Sequence, residues 1–466
     1  MDKTLARDLE HLGSLLERTL EEARHYLEGI DRQPPAVLPT ERPPLELPPN
    51  GQGAEKTLSL FLERYASELG ASAGPRYLGF VTGGSTPAAL SGDWMASAFD
   101  LNLSHQGSSV APLVELETLW MLRQLLGLPE SFSGSFVSGA TMSNFVCLAT
   151  ARQWIARRRG VDVAADGLYG MRPIPVLSAV PHSSALKALS MLGMGRNALS
   201  KVPCLPGRES ADLGTLRARL EALGGEPCIV VASAGTVNTG DYDDLEGIAR
   251  LREHHPFWLH VDGAFGAFAA CSPQLSHLTR GLELADSLTV DAHKWLNVPY
   301  DSAMQFTRHP ELQHEVFKNN AAYLDARKER PAFADMGPEN SRRFRALPAW
   351  FSLMAYGREG YRDIIERDCR LARLLGERIE GSESFRLLAP VRLNIVCFTL
   401  KRPEGAPSLE DIRAFLARLR EDGRVFLTQT VHDGVPGIRA AFSNWRTTDK
   451  DLDLAWSALR DVVTKR

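Results

Sequence analysis

The sequence predicts an α/β protein whose core is a mostly parallel β-sheet covered by helices on both faces. Short, nearly continuous apolar runs alternate with helical segments from residue 134 onward, which is typical of a buried parallel sheet. Polar residues follow directly after several of these runs, at the edge where open parallel sheets bind ligands. The predicted strands span residues 134–138, 174–180, 228–233, 258–261, 287–290 and 303–307.

The 466 residues are too many for one ordinary core and predict two or three domains. We expect an N-terminal helical segment with a proline-rich linker over residues 1–74, a large domain over 75–350, and a small C-terminal α+β domain over 351–466. Leucines recur at helical spacing within residues 2–32 and form a narrow apolar stripe. Such a stripe must be buried against something, and a partner subunit is a natural candidate.

Composition narrows the classes of function. The net charge of −4 gives no reason to expect nucleic acid or an anionic membrane as a partner. None of the six cysteines lies in a C-x-x-C pair, which argues for reduced thiols in a cytoplasmic protein and against a metal cluster or disulfide framework. No apolar run reaches the roughly 18 residues that span a bilayer. The N-terminus lacks the layout of a signal peptide.

The stretch 287–297 ends a predicted strand in the polar residues Asp291, His293 and Lys294. Lysine is seldom buried unless it is paired or used, and a desolvated lysine amine has a lowered pKa and can form a Schiff base. We therefore expect Lys294 to hold an aldehyde cofactor. A solvated lysine at a strand end would explain the same residues. Lys187 is a competing candidate, although its place inside a predicted helix favours a solvated side chain.

Asp262 ends another apolar strand, so its carboxylate is poorly solvated and needs a cationic or N–H partner. A protonated pyridine nitrogen would be such a partner, and this protonation makes the ring of pyridoxal phosphate an electron sink. Gly263 and Ala264 are small enough for a flat ring to lie against the backbone. A helix cap or an ordinary salt bridge is the alternative explanation for the aspartate.

Three further strand ends carry residues that could contact such a cofactor. Gly139, Ala140 and Thr141 lie between a predicted strand and a helix, where small residues expose backbone N–H groups to an anion such as phosphate. His182 could stack on a planar ring, and Thr236 could hydrogen-bond a phenolic oxygen. The alternatives are an N-capped helix start, a structural histidine and ordinary turn chemistry, respectively.

Together these strand ends carry an anion site, a histidine, a carboxylate and a lysine, which is the set of groups that pyridoxal phosphate requires. The most specific motifs are His260-Val-Asp-Gly-Ala264 and Asp291-Ala-His-Lys-Trp295. With the 138–144 turn and Arg342-Arg-Phe-Arg345, these motifs make the chain resemble the group II pyridoxal-phosphate-dependent decarboxylases of aromatic amino acids, glutamate and tyrosine.

The resemblance implies the fold type I, aminotransferase-like architecture and a homodimer with active sites at the subunit interface. It implies that Lys294 is the Schiff-base lysine, that Asp262 contacts the pyridinium nitrogen, and that His182 stacks on the ring. Ala264 would pack against the other face of the ring. The residues expected near the phosphate are Ala140, Thr141 and His293.

Two departures from the family pattern bear on the chemistry. Asp291 stands where the family usually has asparagine, and we expect it among the cofactor-binding residues even though a carboxylate repels phosphate. The family's mobile loop usually carries a tyrosine that protonates the substrate carbon after carbon dioxide leaves, and changing it can redirect the reaction to oxidative deamination. Here no tyrosine lies between Tyr323 and Tyr356, and Met336 falls near its place in the loop at 330–340. Tyr323, a histidine or a water could supply the proton.

The sequence thus predicts a cytoplasmic, pyridoxal-phosphate-dependent lyase that decarboxylates an L-amino acid without a metal. Because the loop tyrosine is missing, aldehyde-forming oxidative deamination, carbon–carbon cleavage or transamination is the alternative. A non-catalytic relative is disfavoured by the joint presence of lysine, aspartate and histidine. Arg439 is a candidate contact for substrate or phosphate, and the loops at 79–87 and 100–112 are expected to set substrate selectivity.

Overall fold

The computed structural model describes residues 1–103, 109–319, 333–403 and 405–464, which form two β-sheets with helices packed on them. The helices are α1 (Lys3–Glu10), α2 (Leu12–Gly29), α3 (Ala54–Tyr65), α4 (Pro87–Phe99), α5 (Ala111–Leu126), α6 (Ala140–Arg158), α7 (Val163–Asp166), α8 (Ser183–Met191), α9 (Leu213–Ala222), α10 (Leu245–Arg250), α11 (Pro310–Phe317), α12 (Ala346–Glu380), α13 (Leu409–Asp422) and α14 (Asp449–Thr464). The strands are β1 (Ser133–Val137), β2 (Val176–Ser178), β3 (Leu199–Lys201), β4 (Cys228–Ser233), β5 (Phe257–Asp262), β6 (Ser287–Val290), β7 (Ala303–Thr307), β8 (Phe385–Leu387), β9 (Ile395–Leu400), β10 (Thr428–His432) and β11 (Val435–Ala441).

The large sheet has seven strands in the order β1-β7-β6-β5-β4-β2-β3. The strands from β6 to β3 run parallel, whereas β7 is antiparallel to both of its neighbours. Both faces of β4 are buried: Val230 packs into one hydrophobic cluster and Ile229 into another. This burial on both sides explains why the central strands are continuous apolar runs. The predicted mostly parallel α/β fold is confirmed, with β7 as an antiparallel strand.

The second sheet has four antiparallel strands in the order β10-β11-β9-β8. Its hydrophobic cluster is shared with α12, α13 and α14. Helix α12 begins before residue 351 and kinks at Gly357, where φ is 58°. It therefore runs across the predicted limit between residues 350 and 351, and the domain limits themselves stay a prediction.

The leucine stripe of the N-terminal segment lies on α1 and α2, as its spacing predicts. Leu5, Leu9, Leu12, Leu16 and Leu20 are between 46% and 61% exposed on the single chain. An apolar stripe left open to this extent needs a covering surface.

Several local features differ from the prediction or extend it. Helix α6 begins at Ala140, so that Gly139 is its N-cap and Ala140 and Thr141 lie in its first turn instead of before the helix. Of the predicted loop at 330–340, residues 333–336 are buried. Tyr323, with residues 330–332 of that loop and residues 104–108 of the predicted selectivity loop at 100–112, lies outside the described residues.

All six thiols are free, and all except Cys204 are buried. Among the described residues, none of the helices combines the length and apolarity needed to cross a bilayer.

Candidate active site

A cleft of about 600 Å³ opens where β2, β4, β5 and β6 end. Residues that follow different strands meet in it because parallel strands present their carboxyl ends at one edge. The predicted site residues in its wall are His182, Thr236, Asp262, Ala264, His293 and Lys294. Phe80, Phe265, Tyr300 and Arg439 also line it.

Lys294 lies in the cleft with 19% of its side chain exposed. Its Nζ is 2.9 Å from Asp291 Oδ2 and 5.8 Å from the centre of the Phe265 ring. The loop at residues 79–87, which we call the glycine-rich loop, holds the backbone of this segment, since the Gly83 amide donates to the His293 carbonyl at 3.1 Å. Lys187, in contrast, is an exposed residue of α8. The structure thus supports Lys294 over Lys187 as the lysine available to a bound aldehyde.

Asp262 is 8% exposed and faces the cleft with neutral donors only. Its Oδ2 accepts from Asn144 Nδ2 at 3.2 Å, and its Oδ1 accepts from the Ala264 amide at 3.3 Å. No cationic side chain of the described residues lies within ion-pair distance of it. A buried carboxylate without a cation is costly, and a ligand cation would remove that cost.

Asn144 connects Asp262 to two histidines. Its Nδ2 also donates to Ser184 Oγ at 3.0 Å, and its Oδ1 accepts from His260 Nε2 at 2.7 Å. Burial lowers the pKa of His260 to about 4, so this imidazole is neutral at physiological pH. All of the hydrogen-bonding capacity of Asn144 is used, because Thr289 donates to Oδ1 as well.

His182 caps α8 and turns its ring toward the open cleft. Ser184 Oγ lies 2.7 Å from its Nδ1, and the Ser184 amide donates to the same nitrogen at 3.3 Å. Desolvation by the surrounding protein lowers the pKa of His182. The negative charge of Asp262 acts in the opposite direction but has a smaller effect. A neutral, flat imidazole held from one side can pack on a planar ring.

Asp291 is 2% exposed and joins Lys294 to the start of α6. Its Oδ1 accepts from the Ala140 amide at 2.7 Å, while Oδ2 pairs with Lys294. His293 Nε2 is 3.7 Å from the same carboxylate. The Asp291 carboxylate therefore already uses the Ala140 amide, one of the backbone donors that the sequence assigns to a phosphate. Gly139 and Thr141 lie beside Ala140 at the N-terminus of α6.

His293 is fixed on two sides. Its Nδ1 donates to the Ser302 carbonyl at 2.9 Å, and its ring stacks on Tyr300 with centroids 4.3 Å apart. Burial lowers its pKa. The Tyr300 hydroxyl is 3.2 Å from Thr82 Oγ1, which ties this aromatic ring to the glycine-rich loop.

Thr236 and Arg439 occupy the wall nearest the C-terminal sheet. The Thr236 hydroxyl donates to Glu209 Oε2 at 2.6 Å, so its contact with a phenolic oxygen stays a prediction. Arg439 is 8% exposed and donates to the carbonyls of Val237 and Gly79. It forms no ion pair with any described carboxylate, and burial lowers its pKa.

Met336, which falls near the family's loop tyrosine in the sequence, does not line this cleft. It is buried and lines a different cavity with Trp120 and Phe333. Sequence reasoning did not single out Asn144, Ser184 or Tyr300. Asn144 ends the 138–144 turn and Ser184 lies two residues after His182, but their contacts join distant segments, and no signal marks Tyr300.

Most of these residues fit pyridoxal phosphate. Asp262 has no cationic partner among the described residues, and the Lys294 amine lies in the same cleft. Ala264 and His182 leave space for a flat ring. Gly263 has no room for a side chain, since an added Cβ would lie 2.9 Å from Leu288 Cδ1. Asp291 is the one residue of the set whose charge opposes the phosphate.

Comparison with known proteins agrees with the cofactor that the residues of this cleft fit. Residues 64–401 match the family model described as the pyridoxal-dependent decarboxylase conserved domain. The chain is 28% identical over 417 residues to an aromatic-L-amino-acid decarboxylase of Bacillus atrophaeus, covering 87% of this chain and 85% of that protein. It is 26% identical over 479 residues to 4-hydroxyphenylacetaldehyde synthase of Rhodiola rosea, covering 98% and 96% of the two chains.

Solved structures share the fold. The crystal structure of Oryza sativa TDC with PLP and tryptamine superposes with a TM-score of 0.89 at 24% identity, covering 100% of this chain and 99% of that one. Mouse CSAD superposes with a TM-score of 0.88 at 23% identity, covering 100% of both chains. The family model covers well over half of the sequence, and the cleft carries the lysine and the aspartate that the cofactor needs. The chain therefore belongs to the pyridoxal-dependent decarboxylase family and is a carboxy-lyase that uses pyridoxal phosphate.

Proposed function

We propose that the protein decarboxylates an aromatic L-amino acid in this cleft, with Lys294, Asp262 and His182 as its catalytic residues. The observation that carries the proposal is the buried Asp262 carboxylate, which faces the same cleft as Lys294. Its hydrogen-bond donors among the described residues are both neutral. The aromatic preference is supported by Phe80, Phe265 and Tyr300 in the wall and by relatives named for aromatic amino acids.

When bound, pyridoxal phosphate supplies a ring that withdraws the electron pair left on the substrate carbon as carbon dioxide departs. Lys294 Nζ is the amine that would hold the cofactor's aldehyde carbon. Asp262 would stabilise a proton on the ring nitrogen, and Asn144 fixes the direction of that carboxylate. His182 and Ala264 would contact the ring.

The rest of the wall orients the substrate and the cofactor. Arg439 is a buried cation without a carboxylate partner among the described residues, so it suits an anionic group of either molecule. Thr236, Ala140, Thr141, Gly139, Asp291 and His293 complete the proposed cofactor-binding set. The proton that replaces carbon dioxide has the Tyr300 hydroxyl as a donor within the cleft.

We also propose a cytoplasmic homodimer. The exposed leucines of α1 and α2 provide an apolar surface that a second copy of the chain would cover. Trp94 and Phe99 of α4 and Trp120 of α5 add aromatic residues that are between 41% and 51% exposed. Free, buried thiols suit a reducing compartment.

The decisive experiment screens the purified holoenzyme against the amino acids while following carbon dioxide, amine, aldehyde and ammonia. Carbon dioxide and the matching amine from an aromatic amino acid would support the proposal. Carbon dioxide with aldehyde and ammonia would show oxidative deamination instead, and release of neither carbon dioxide nor amine from any amino acid would overturn it.

The cofactor lysine is tested separately by borohydride reduction followed by peptide mapping. We expect the label on Lys294, and we expect Lys294→Ala to lose both the label and the visible absorbance of bound cofactor. Lys187→Ala is the matched control and should keep both. A label on Lys187 would contradict the central assignment.

A further inference from the structure

A second cavity, of about 430 Å³, adjoins the catalytic cleft. Phe80 and Arg439 line both spaces, so they form the wall between them. The remaining wall comes from α13 and from the segment that leads into β10. We call this cavity the basic groove; its wall is formed by Phe80, Arg413, Leu416, Ala417, Arg420, Phe426, Leu427, Thr428, Gln429 and Arg439.

The basic groove concentrates positive charge. Among the described residues, three arginines and no aspartate or glutamate line it. Arg413 and Arg420 lie seven residues apart, about two turns along α13, and therefore share one face of the helix. None of the three forms an ion pair with a described carboxylate, whereas nearby Arg424 pairs with Asp422 at 2.6 Å.

One buried nitrogen in each of two of these arginines has no partner among the described residues. The Nε atoms of Arg420 and Arg439 are both buried and make no hydrogen bond within the described part of the chain. Arg439 is more than nine-tenths buried, and its terminal nitrogens donate to backbone carbonyls and, at 3.5 Å, to the Thr428 hydroxyl. A buried guanidinium without a counter-charge is unfavourable, and an anion in the groove would remove the imbalance.

Ordinary structural roles explain only part of this arrangement. Arg420 lies in the last turn of α13, where a basic residue interacts favourably with the helix dipole. Arg413 lies in the first half of the same helix, and Arg439 lies on β11, so neither has that explanation. The convergence of all three on one cavity needs a different cause.

We propose that the basic groove binds a small oxyanion, a phosphate or a carboxylate group, as an effector separate from the reacting amino acid. Guanidinium groups recognise both kinds of oxyanion through paired N–H donors. Because Arg439 and Phe80 also face the catalytic cleft, an anion in the groove changes the position and charge of a wall that the substrate contacts. Occupancy of the groove therefore alters the KM for the amino acid.

The test is calorimetric titration of the holoenzyme with inorganic phosphate at constant ionic strength. Excess cofactor is removed first, because pyridoxal phosphate is itself an oxyanion. We expect one saturable site, and we expect Arg420→Gln to weaken it about tenfold, as loss of a charged hydrogen bond does. Arg413→Gln, at an exposed position, should weaken it as well and guards against a folding defect in the first variant.

Arg418→Gln is the matched control, because Arg418 lies on the same helix but lines another cavity. Equal weakening by Arg418→Gln, or no saturable binding of either phosphate or succinate to the wild type, would overturn the proposal. Succinate in place of phosphate separates a carboxylate site from a phosphate site, and binding of either that depends on Arg420 supports the proposal. The calorimetry needs no substrate, so its result is independent of the reaction catalysed in the cleft.

A kinetic measurement then tests the coupling. Phosphate should change the KM of the wild-type enzyme for its amino acid and leave the KM of Arg420→Gln unchanged. Binding without any effect on KM would overturn the effector role.

Discussion

Asp262 and Asp291 are two buried carboxylates of one active site, and they are satisfied in opposite ways. Asp262 receives neutral N–H donors from Asn144 and Ala264, and no cation of the described residues lies beside it. Asp291 has its cation within the protein, 2.9 Å away at Lys294 Nζ. A ligand cation would therefore stabilise the first carboxylate, whereas the second is already paired. From this difference we expect Asp262 to serve the cofactor ring and Asp291 to serve Lys294.

Removal of the charge at Asp262 should have the largest effect. We expect Asp262→Asn to lower kcat about 10²–10³-fold, the usual cost of losing one preorganised electrostatic partner. Borohydride should still attach the cofactor to Lys294, since the amine is untouched. Steady-state kinetics and peptide mapping measure both effects, with Asp166→Asn, an exposed aspartate on α7, as the control. Activity within tenfold of wild type would show that Asp262 does not complete the cofactor.

Asp368 extends the comparison to a carboxylate that has a neutral partner and lies outside the cleft. It accepts from Trp295 Nε1 at 2.8 Å, and burial raises its pKa to about 8. Because the folded state then binds a proton that the unfolded state releases near pH 4, stability should fall as pH rises from about 4 to 8.

The slope expected from this one group is about 1.4 kcal/mol per pH unit. Asp368→Asn should remove that part of the slope and should make the protein more stable than wild type near pH 8. Urea unfolding at several pH values measures the effect. Asp363→Asn, at an exposed position on the same helix, should leave the slope as it is, and parallel slopes for wild type and Asp368→Asn would contradict the assignment.

Asn144 gives Asp262 a neutral side-chain donor, whereas the side chain that pairs with Asp291 is the cation Lys294. Asn144→Ala removes one hydrogen bond from each of four buried partners, so we expect a loss of about 1–3 kcal/mol in unfolding free energy. Asp262 should also lose its orientation, which would lower kcat without a matching rise in KM. Asn197→Ala, at an exposed position, is the control for both measurements. A variant as stable and active as the control would show that the network is dispensable.

Asp291→Asn should have the smallest effect of these substitutions, and it should increase the affinity of the protein for the cofactor. Two unit charges 4 Å apart interact by about 1–4 kcal/mol between water and a protein surface. Removal of the charge beside the N-terminus of α6 should therefore tighten the binding of pyridoxal phosphate about tenfold or more. Absorbance titration of the apoenzyme measures this dissociation constant. Weaker binding by the variant would show that Asp291 anchors the cofactor instead of opposing its phosphate.

The fold and the strand-end residues could be predicted because burial leaves a strong trace in sequence. Doubly buried strands are continuous apolar runs, so a polar residue at the end of one, such as Asp262 or Asp291, is conspicuous. The direction of β7 could not be predicted, since an antiparallel strand in the same place has the same apolar composition.

The contacts that organise the site left no such trace. Asn144 and Asp262 are 118 residues apart in sequence, and Ala140 and Asp291 are 151 apart. Each pair is made by the packing of α6 on the sheet, and the spacing between residues gives no information about such packing. Tyr300 follows no strand and matches no motif, so its place in the cleft became visible only in three dimensions.

Gly83 shows how closely the glycine-rich loop is fitted to the segment that carries Lys294. An added Cβ would overlap the Lys294 carbonyl oxygen, and the Gly83 amide already donates to the His293 carbonyl. Two segments more than two hundred residues apart thus share one small volume, and neither can be redesigned alone. In directed evolution of substrate range, residue 83 should accept almost no replacement, while its neighbour Phe80, half exposed in the cleft, is the position at which a library can vary.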